Sequence, residues 1–331
     1  MSLDLNQEAL QNLEPLTMDE IEELLLQYDI NNDLNESVEE MIPDDPYRQK
    51  LQTIAKTVDE ASSQIEGIFD FVKRTDSLPI EEIKKEIIPV LEEVTDIPHV
   101  YHLFKELHSK DEYTYRHNIC VGVIAGLIGK WLGMEGQKLQ DLELAGLLHD
   151  IGKTKIPGYI LTKPGKLTEH EYAEMKKHTV YGYQLIKKSE ELPEEIALVA
   201  LQHHERENGS GFPFRLTGAK IHPFAKIIAV ADVFHALSSE RVYKPAFPFY
   251  QVIAQMNDGM LGQFDPTVLT IFIHNMMATL VGKNVDLSNG KSGRIIMNDP
   301  YEPMYSLIHT ENDEWVDLRK TKDIFISKVH S

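Results

Sequence analysis

Five histidines and two aspartates in this chain have the residue types and spacing of a metal centre: His117, His149, Asp150, His178, His203, His204 and Asp232. Counting His149-Asp150 and His203-His204 as single stations, they recur about every 25 to 32 residues, roughly one helix and its loop apart. Each station can therefore sit on a different helix of one bundle. Nitrogen and oxygen donors without sulfur suit first-row metals such as Fe, Mn, Zn or Ni. Two metals sharing a bridging carboxylate and a water suit phosphodiester hydrolysis, because they acidify the water and neutralise charge in the transition state. Lys153, three residues after Asp150, is placed to add a cation or a proton beside such a site.

Taken singly, each residue has an ordinary reading too. Asp232 lies in Ile227-Ile228-Ala229-Val230-Ala231-Asp232-Val233-Phe234, on a face that should be buried, so it needs either an ion-pair partner or a bound cation. His203 shares a helix face with Ile196 and Val199, and His204 should point about 100° away from it. A hydrogen-bonded core histidine is the plain reading there. His149-Asp150 ends an apolar helix carrying Leu139, Leu142, Leu147 and Leu148, where a cap would explain the pair. His117 and His178 read as surface histidines when considered alone. Only the set points to a metal.

The elements that must position these residues read as helices. Arg48 to Lys73 carries Leu51, Ile54, Val58, Ile65, Ile68, Phe69 and Val72 at helical steps. Pro79 can open a further helix with Ile83, Ile87, Val90 and Leu91 on one face. Thr17-Met18-Asp19-Glu20 fits a capping box before Ile21, Leu24, Leu25 and Tyr28, and Pro43-Asp44-Asp45-Pro46 breaks the chain. Later helices are expected over 113–131, 138–149, 168–188, 193–206, 225–239, 248–260 and 266–280. Thr168 to Glu171 is a second capping box, and Asp265-Pro266 is a good N-cap and N1 pair. After Gly282 the character changes. Turn signals at Asn289-Gly290 and Ser292-Gly293 flank strand-like stretches at 293–297, 305–309 and 315–318. Three parts are expected: an acidic helical regulatory or dimerising module over 1–97, a helical catalytic domain over 98–280 and a small β-rich extension over 281–331.

Composition narrows the function. Residues 1–100 hold 25 acidic and 7 basic side chains, whereas residues 101–331 hold 28 and 26. Of the 14 histidines, only His99 lies in the first hundred residues. A net charge of −20 argues against binding polymeric nucleic acid, but a few local cations can still hold a small anion. The apolar runs at 121–128 and 268–281 are too short or too polar to span a membrane. The acidic N-terminus lacks a basic-then-apolar leader, so a cytoplasmic location is expected. Cys120 is the single cysteine; within Asn118-Ile119-Cys120-Val121-Gly122-Val123 it reads as a buried, inert thiol.

Several motifs in order resemble the HD-GYP family of HD phosphohydrolases. They are Leu148-His149-Asp150-Ile151-Gly152-Lys153, Ile156-Pro157, the stretch from Ile160 to Thr168, and Met175 with His178. The match continues through His203-His204-Glu205, Asn208-Gly209-Ser210-Gly211-Phe212-Pro213, Val230-Ala231-Asp232-Val233-Phe234 and Arg241-Val242-Tyr243-Lys244. Together they cover about residues 98–280. The resemblance implies a mainly α, helical-bundle metallophosphohydrolase domain that hydrolyses cyclic di-GMP to a linear dinucleotide or on to GMP. It implies two divalent ions, iron or manganese. His117, His149, Asp150 and Asp232 would hold one of them, and Asp150, His178, His203 and His204 the other. It implies that Lys153 positions or protonates the phosphate, that Arg241 and Lys244 contact phosphate, and that Phe212 faces the substrate. A homodimer or a signalling partner is a further expectation.

The chain departs from that pattern at four places. Phe212 replaces the family's tyrosine, Asn208 its aspartate in the same loop, and His235 its aspartate after Val-Phe. Tyr113 stands where some members carry a glutamate for a third metal. The alternative to an enzyme is a metal-containing cyclic-dinucleotide receptor with little or no turnover.

Overall fold

The computed structural model describes residues 46–96, 115–239, 249–258, 262–321 and 323–330. The capping box at 17–20, Tyr113, Arg241 and Lys244 lie outside these residues. Among the described residues no helix is long and apolar enough to cross a membrane.

Helix α1 spans Pro46–Thr75 and buries Ile54, Val58, Ala61, Ile65, Ile68, Phe69 and Val72 at three- and four-residue steps. The next helical run, α2, joins Ile80–Glu82, a π-turn over Ile83–Ile87 and Ile88–Thr95. The π-turn precedes Pro89, which has no N–H to give the carbonyl of Lys85 and whose ring would crowd it. This slip alters the expected face: Ile88 is buried and Val90 is only half-buried.

Helices α3 (Tyr115–Trp131) and α4 (Gly136–Leu148) form the centre of the bundle. They cross closely because two glycines meet: a Cβ on Gly146 would stand 2.8 Å from Gly122 Cα. Helix α2 packs on both, with Leu91 against Gly122 and Thr95 Oγ1 donating to Glu143 Oε1 at 3.3 Å. Helix α1 meets α3 through the ring pair Phe69–Tyr115 and the ion pair of Asp59 with Arg116. Glu143 is fully buried, and among the described residues its Oε2 has no hydrogen-bond partner. Burial pushes its carboxyl up to about 7. Cys120 is buried on α3, and burial pushes its thiol up to about 12, as an inert core residue requires.

After α4 a 3-10 turn (Ile151–Lys155) leads to the short helix α5 (Gly158–Leu161). Helices α6 (Glu169–Lys176), α7 (His178–Lys187), α8 (Glu194–Gln202), α9 (Pro223–Ser238), α10 (Phe249–Asp258) and α11 (Pro266–Ala278) follow. The capping box at Thr168 and the N-cap at Asp265 form as expected. The expected helix over 168–188 is divided at Lys177, and that over 193–206 stops at Gln202.

The C-terminal part is an antiparallel sheet of β1 (Asn284–Leu287), β2 (Ser292–Asn298), β3 (Ser306–Thr310), β4 (Trp315–Asp317) and β5 (Ile326–Val329), in the order β4-β3-β2-β1-β5. Ile295 faces Ile308, and Ile308 faces Val316 across the strands. Strands β1 and β5 add to the three stretches expected from the sequence. Tyr250 donates to the carbonyl of Met304 at 2.9 Å and Asn298 to that of Met277 at 2.6 Å, which ties the sheet to α10 and α11.

Candidate metal centre

The seven side chains singled out by type and spacing converge. His117 comes from α3, His149 caps α4, Asp150 follows it, and His178 is the first residue of α7. His203 caps α8 with His204 next to it, and Asp232 lies on α9. Two ligand groups meet at Asp150: one is His117, His149 and Asp150, the other Asp150, His178, His203 and His204. Asp232 joins the first, its Oδ1 lying 3.2 Å from His117 Nε2.

Asp150 divides its oxygens between the groups. Its Oδ2 lies 3.3 Å from His149 Nε2 and 4.0 Å from His117 Nε2. Its Oδ1 lies 3.3 Å from His178 Nε2 and 3.8 Å from His203 Nε2. Gly152 makes this approach feasible. A Cβ there would stand 1.9 Å from the carbonyl oxygen of His178, so only glycine lets the turn after Asp150 lie against the start of α7.

Backbone carbonyls orient the rings. His149 Nδ1 lies 2.6 Å from Gly146 O, His178 Nδ1 lies 2.8 Å from Met175 O, and His203 Nδ1 lies 3.1 Å from Ala200 O. A carbonyl only accepts, so each Nδ1 carries a proton and each Nε2 faces the cluster, keeping a lone pair on the rings of His178 and His203 that burial holds neutral. The break at Lys177 and the end of α8 at Gln202 are what turn His178 and His204 inward. His203 and His204 consequently lie with ring centroids 4.1 Å apart, both toward the cluster, instead of diverging around a helix as the sequence suggested.

The electrostatics suit a cation. Burial pushes the imidazolium forms of His117, His178 and His203 down, and that of His204 to about 3, so these rings are neutral donors. Burial also opposes charge on His149, but the adjacent Asp150 outweighs it and raises its pKa. Burial works against the carboxylates of Asp150 and Asp232 as well. Lys153 and His149 around the one, and His117 and His149 around the other, nevertheless hold both well below the ordinary range. His149 Nε2 and Asp150 Oδ1 are buried with no hydrogen-bond partner among the described residues. Such orphaned atoms are costly unless something binds them, and a divalent ion fits both.

Lys153, one-third exposed, pairs its ammonium with Asp150 Oδ2. Phe212 stacks on His204 with centroids 4.5 Å apart and planes 27° apart, and Tyr172 stands edge-on at 6.5 Å. Lys176 Nζ lies 5.1 Å from the Tyr172 ring. Asn208 accepts from Ser210 N at 3.0 Å and Ser210 Oγ at 2.6 Å, so its amide oxygen shapes the loop.

Two further residues at the site make contacts that the sequence does not show. Buried Glu205 accepts from Phe214 N at 2.7 Å and Leu216 N at 2.9 Å, which pins the loop behind Phe212. His235 Nδ1 lies 2.8 Å from His117 Nδ1.

Comparison with known proteins agrees with this architecture. The model of the HD domain family matches residues 102–268. The chain is 35% identical over 190 residues to the cyclic di-GMP phosphodiesterase PA4108 of Pseudomonas aeruginosa, covering 57% of this chain and 46% of that protein. It is 36% identical over 162 residues to the 3'3'-cGAMP-specific phosphodiesterase 3 of Vibrio cholerae, covering 49% of this chain and 35% of that protein. The chain thus spans less than half the length of these relatives. Its fold is similar to that of Bd1817, an HDG"Y"P protein from Bdellovibrio bacteriovorus, at a TM-score of 0.54 and 17% identity over 78% of this chain and 80% of that one. The HD domain match covers half of the chain and contains all seven converging side chains, so the chain belongs to the HD domain family.

Proposed function

We propose that this chain is a metal-dependent phosphodiesterase that opens cyclic di-GMP to a linear dinucleotide and acts through two iron or manganese ions. The observation that carries this reading is the divided carboxylate of Asp150, with one oxygen toward His117 and His149 and the other toward His178 and His203. When bound, a pair of divalent ions supplies an acidified water and charge neutralisation at the phosphate.

The chain's own groups supply the rest. Four neutral imidazoles and the two depressed carboxylates are already in their ligand forms near neutral pH. Lys153 is exposed enough to meet a phosphate oxygen while anchored on Asp150, and its ammonium would position or protonate the phosphate. Phe212 and Tyr172 provide apolar ring faces beside His204 against which a nucleobase can pack. Arg241 and Lys244 are proposed as further phosphate contacts, and the acidic first segment as a regulatory or dimerising module.

A second reading is a receptor that keeps metals and nucleotide but does not turn over. The Phe212 ring favours it, because the hydroxyl of the family's tyrosine is missing beside His204.

The test is anaerobic incubation of metal-replete protein, with Mn²⁺ or Fe²⁺, with cyclic di-GMP and separately with 3'3'-cGAMP, using Asp150→Ala as control. Linear product from cyclic di-GMP that Asp150→Ala abolishes is expected. Faster turnover of 3'3'-cGAMP would reassign the substrate. Metal and nucleotide binding without product would establish the receptor, and binding of neither would end both readings.

A further inference from the structure

Helix α9 grips His117 from both ends of its ring. Asp232 and His235 are three residues apart and share a face of α9. Asp232 Oδ1 lies 3.2 Å from His117 Nε2, and His235 Nδ1 lies 2.8 Å from His117 Nδ1. Two imidazole nitrogens at that distance need one donor and one acceptor. If His117 Nε2 offers its lone pair to a metal, its Nδ1 carries the proton and His235 Nδ1 must accept it. The proton of a neutral His235 then sits on Nε2, where Ser239 Oγ is 3.2 Å away; the same hydroxyl is 3.3 Å from Nδ1. His149, His178 and His203 are oriented by backbone carbonyls, whereas His117 is oriented by a side chain that a substitution can change.

We propose that His235 is a positioning residue that fixes the tautomer of His117 and sets the affinity of the metal group formed by His117, His149, Asp150 and Asp232. The proposal rests on the metal-centre reading above. His235 meets this group at His117 Nδ1, the ring nitrogen that faces away from the cluster. A neutral imidazole polarises the His117 N–H less than an anionic carboxylate would, because charge-assisted hydrogen bonds are about twice as strong. His117 is then a weaker donor than it would be opposite an aspartate.

The experiment is Mn²⁺ binding by equilibrium dialysis on the full chain as wild type, His235→Leu, His235→Asp and His117→Ala, with thermal melts of each metal-free protein. Two binding classes are expected for the wild type. His235→Leu should weaken one class about 10- to 100-fold and leave the other unchanged, with His117→Ala affecting the same class. His235→Asp, which restores an acceptor and adds charge, should bind that class at least as tightly as the wild type. Wild-type binding by His235→Leu would overturn the proposal and leave the proposed function standing. Equal weakening of both classes with a lowered melting temperature would overturn it in favour of a general packing role. Failure of the wild type to bind Mn²⁺ would overturn both.

Discussion

Gly152 lies against the first residue of α7 so closely that a Cβ on it would come within 1.9 Å of the carbonyl oxygen of His178. This contact joins the turn after Asp150 to the helix that opens with His178, one of the three histidines of the second group, so the two halves of the cluster meet through it. Gly152→Ala should cost at least about 1–3 kcal/mol by overpacking and should lower the Mn²⁺ stoichiometry. Gly158→Ala is the control, since nothing lies within 4 Å of a Cβ there. Urea melts check both, and an unchanged midpoint for Gly152→Ala would show that the approach is softer than its geometry implies.

The ring of Phe212 supports His204. An aromatic pair contributes about 0.5–1.5 kcal/mol beyond its buried area, which is roughly two- to tenfold in a binding constant. Phe212→Leu should therefore lower Mn²⁺ affinity in the group containing His204 by about that factor. Phe212→Tyr keeps the stack and should leave metal affinity alone, so any effect it has belongs to nucleotide binding or turnover. Titration of the three proteins with Mn²⁺ checks this; full affinity in Phe212→Leu would remove the stack from the account.

Much of this site was legible in the sequence, for a physical reason. Metal ligation restricts residue types, and a bundle places one ligand per helix, so the seven side chains stood out by kind and spacing before any geometry was known. Apolar periodicity likewise located the helices, as with Ile54, Val58 and Ile65 on α1. What escaped depends on backbone detail. Pro89 shifted the buried face from Val90 to Ile88 through a π-turn, and the stop at Gln202 turned His204 inward. The amides that Glu205 holds and the nitrogen that His235 meets escape the sequence, because neither contact is local in it.

Glu143 gives a pH signature independent of the metals. Burial raises its folded-state value from 4.5 to about 7, so between those limits the folded protein binds the proton that the unfolded chain has lost. Stability should therefore fall as pH rises through this window, by an amount on the order of 1–3 kcal/mol. Glu143→Gln removes the titration and keeps an acceptor for Thr95. The stability of the variant relative to wild type, from urea melts at pH 5 and pH 8, should rise with pH. A difference that stays constant would mean that water or a cation reaches Oε2.

In the proposed function Asp150 would help to hold both metal ions. The most direct measurement is the electron paramagnetic resonance spectrum of the protein loaded anaerobically with two equivalents of Mn²⁺, beside that of Asp150→Ala. The account predicts an exchange-coupled multiline signal in the wild type that is lost in the variant. Signals of isolated Mn²⁺ alone in the fully loaded wild type would contradict it.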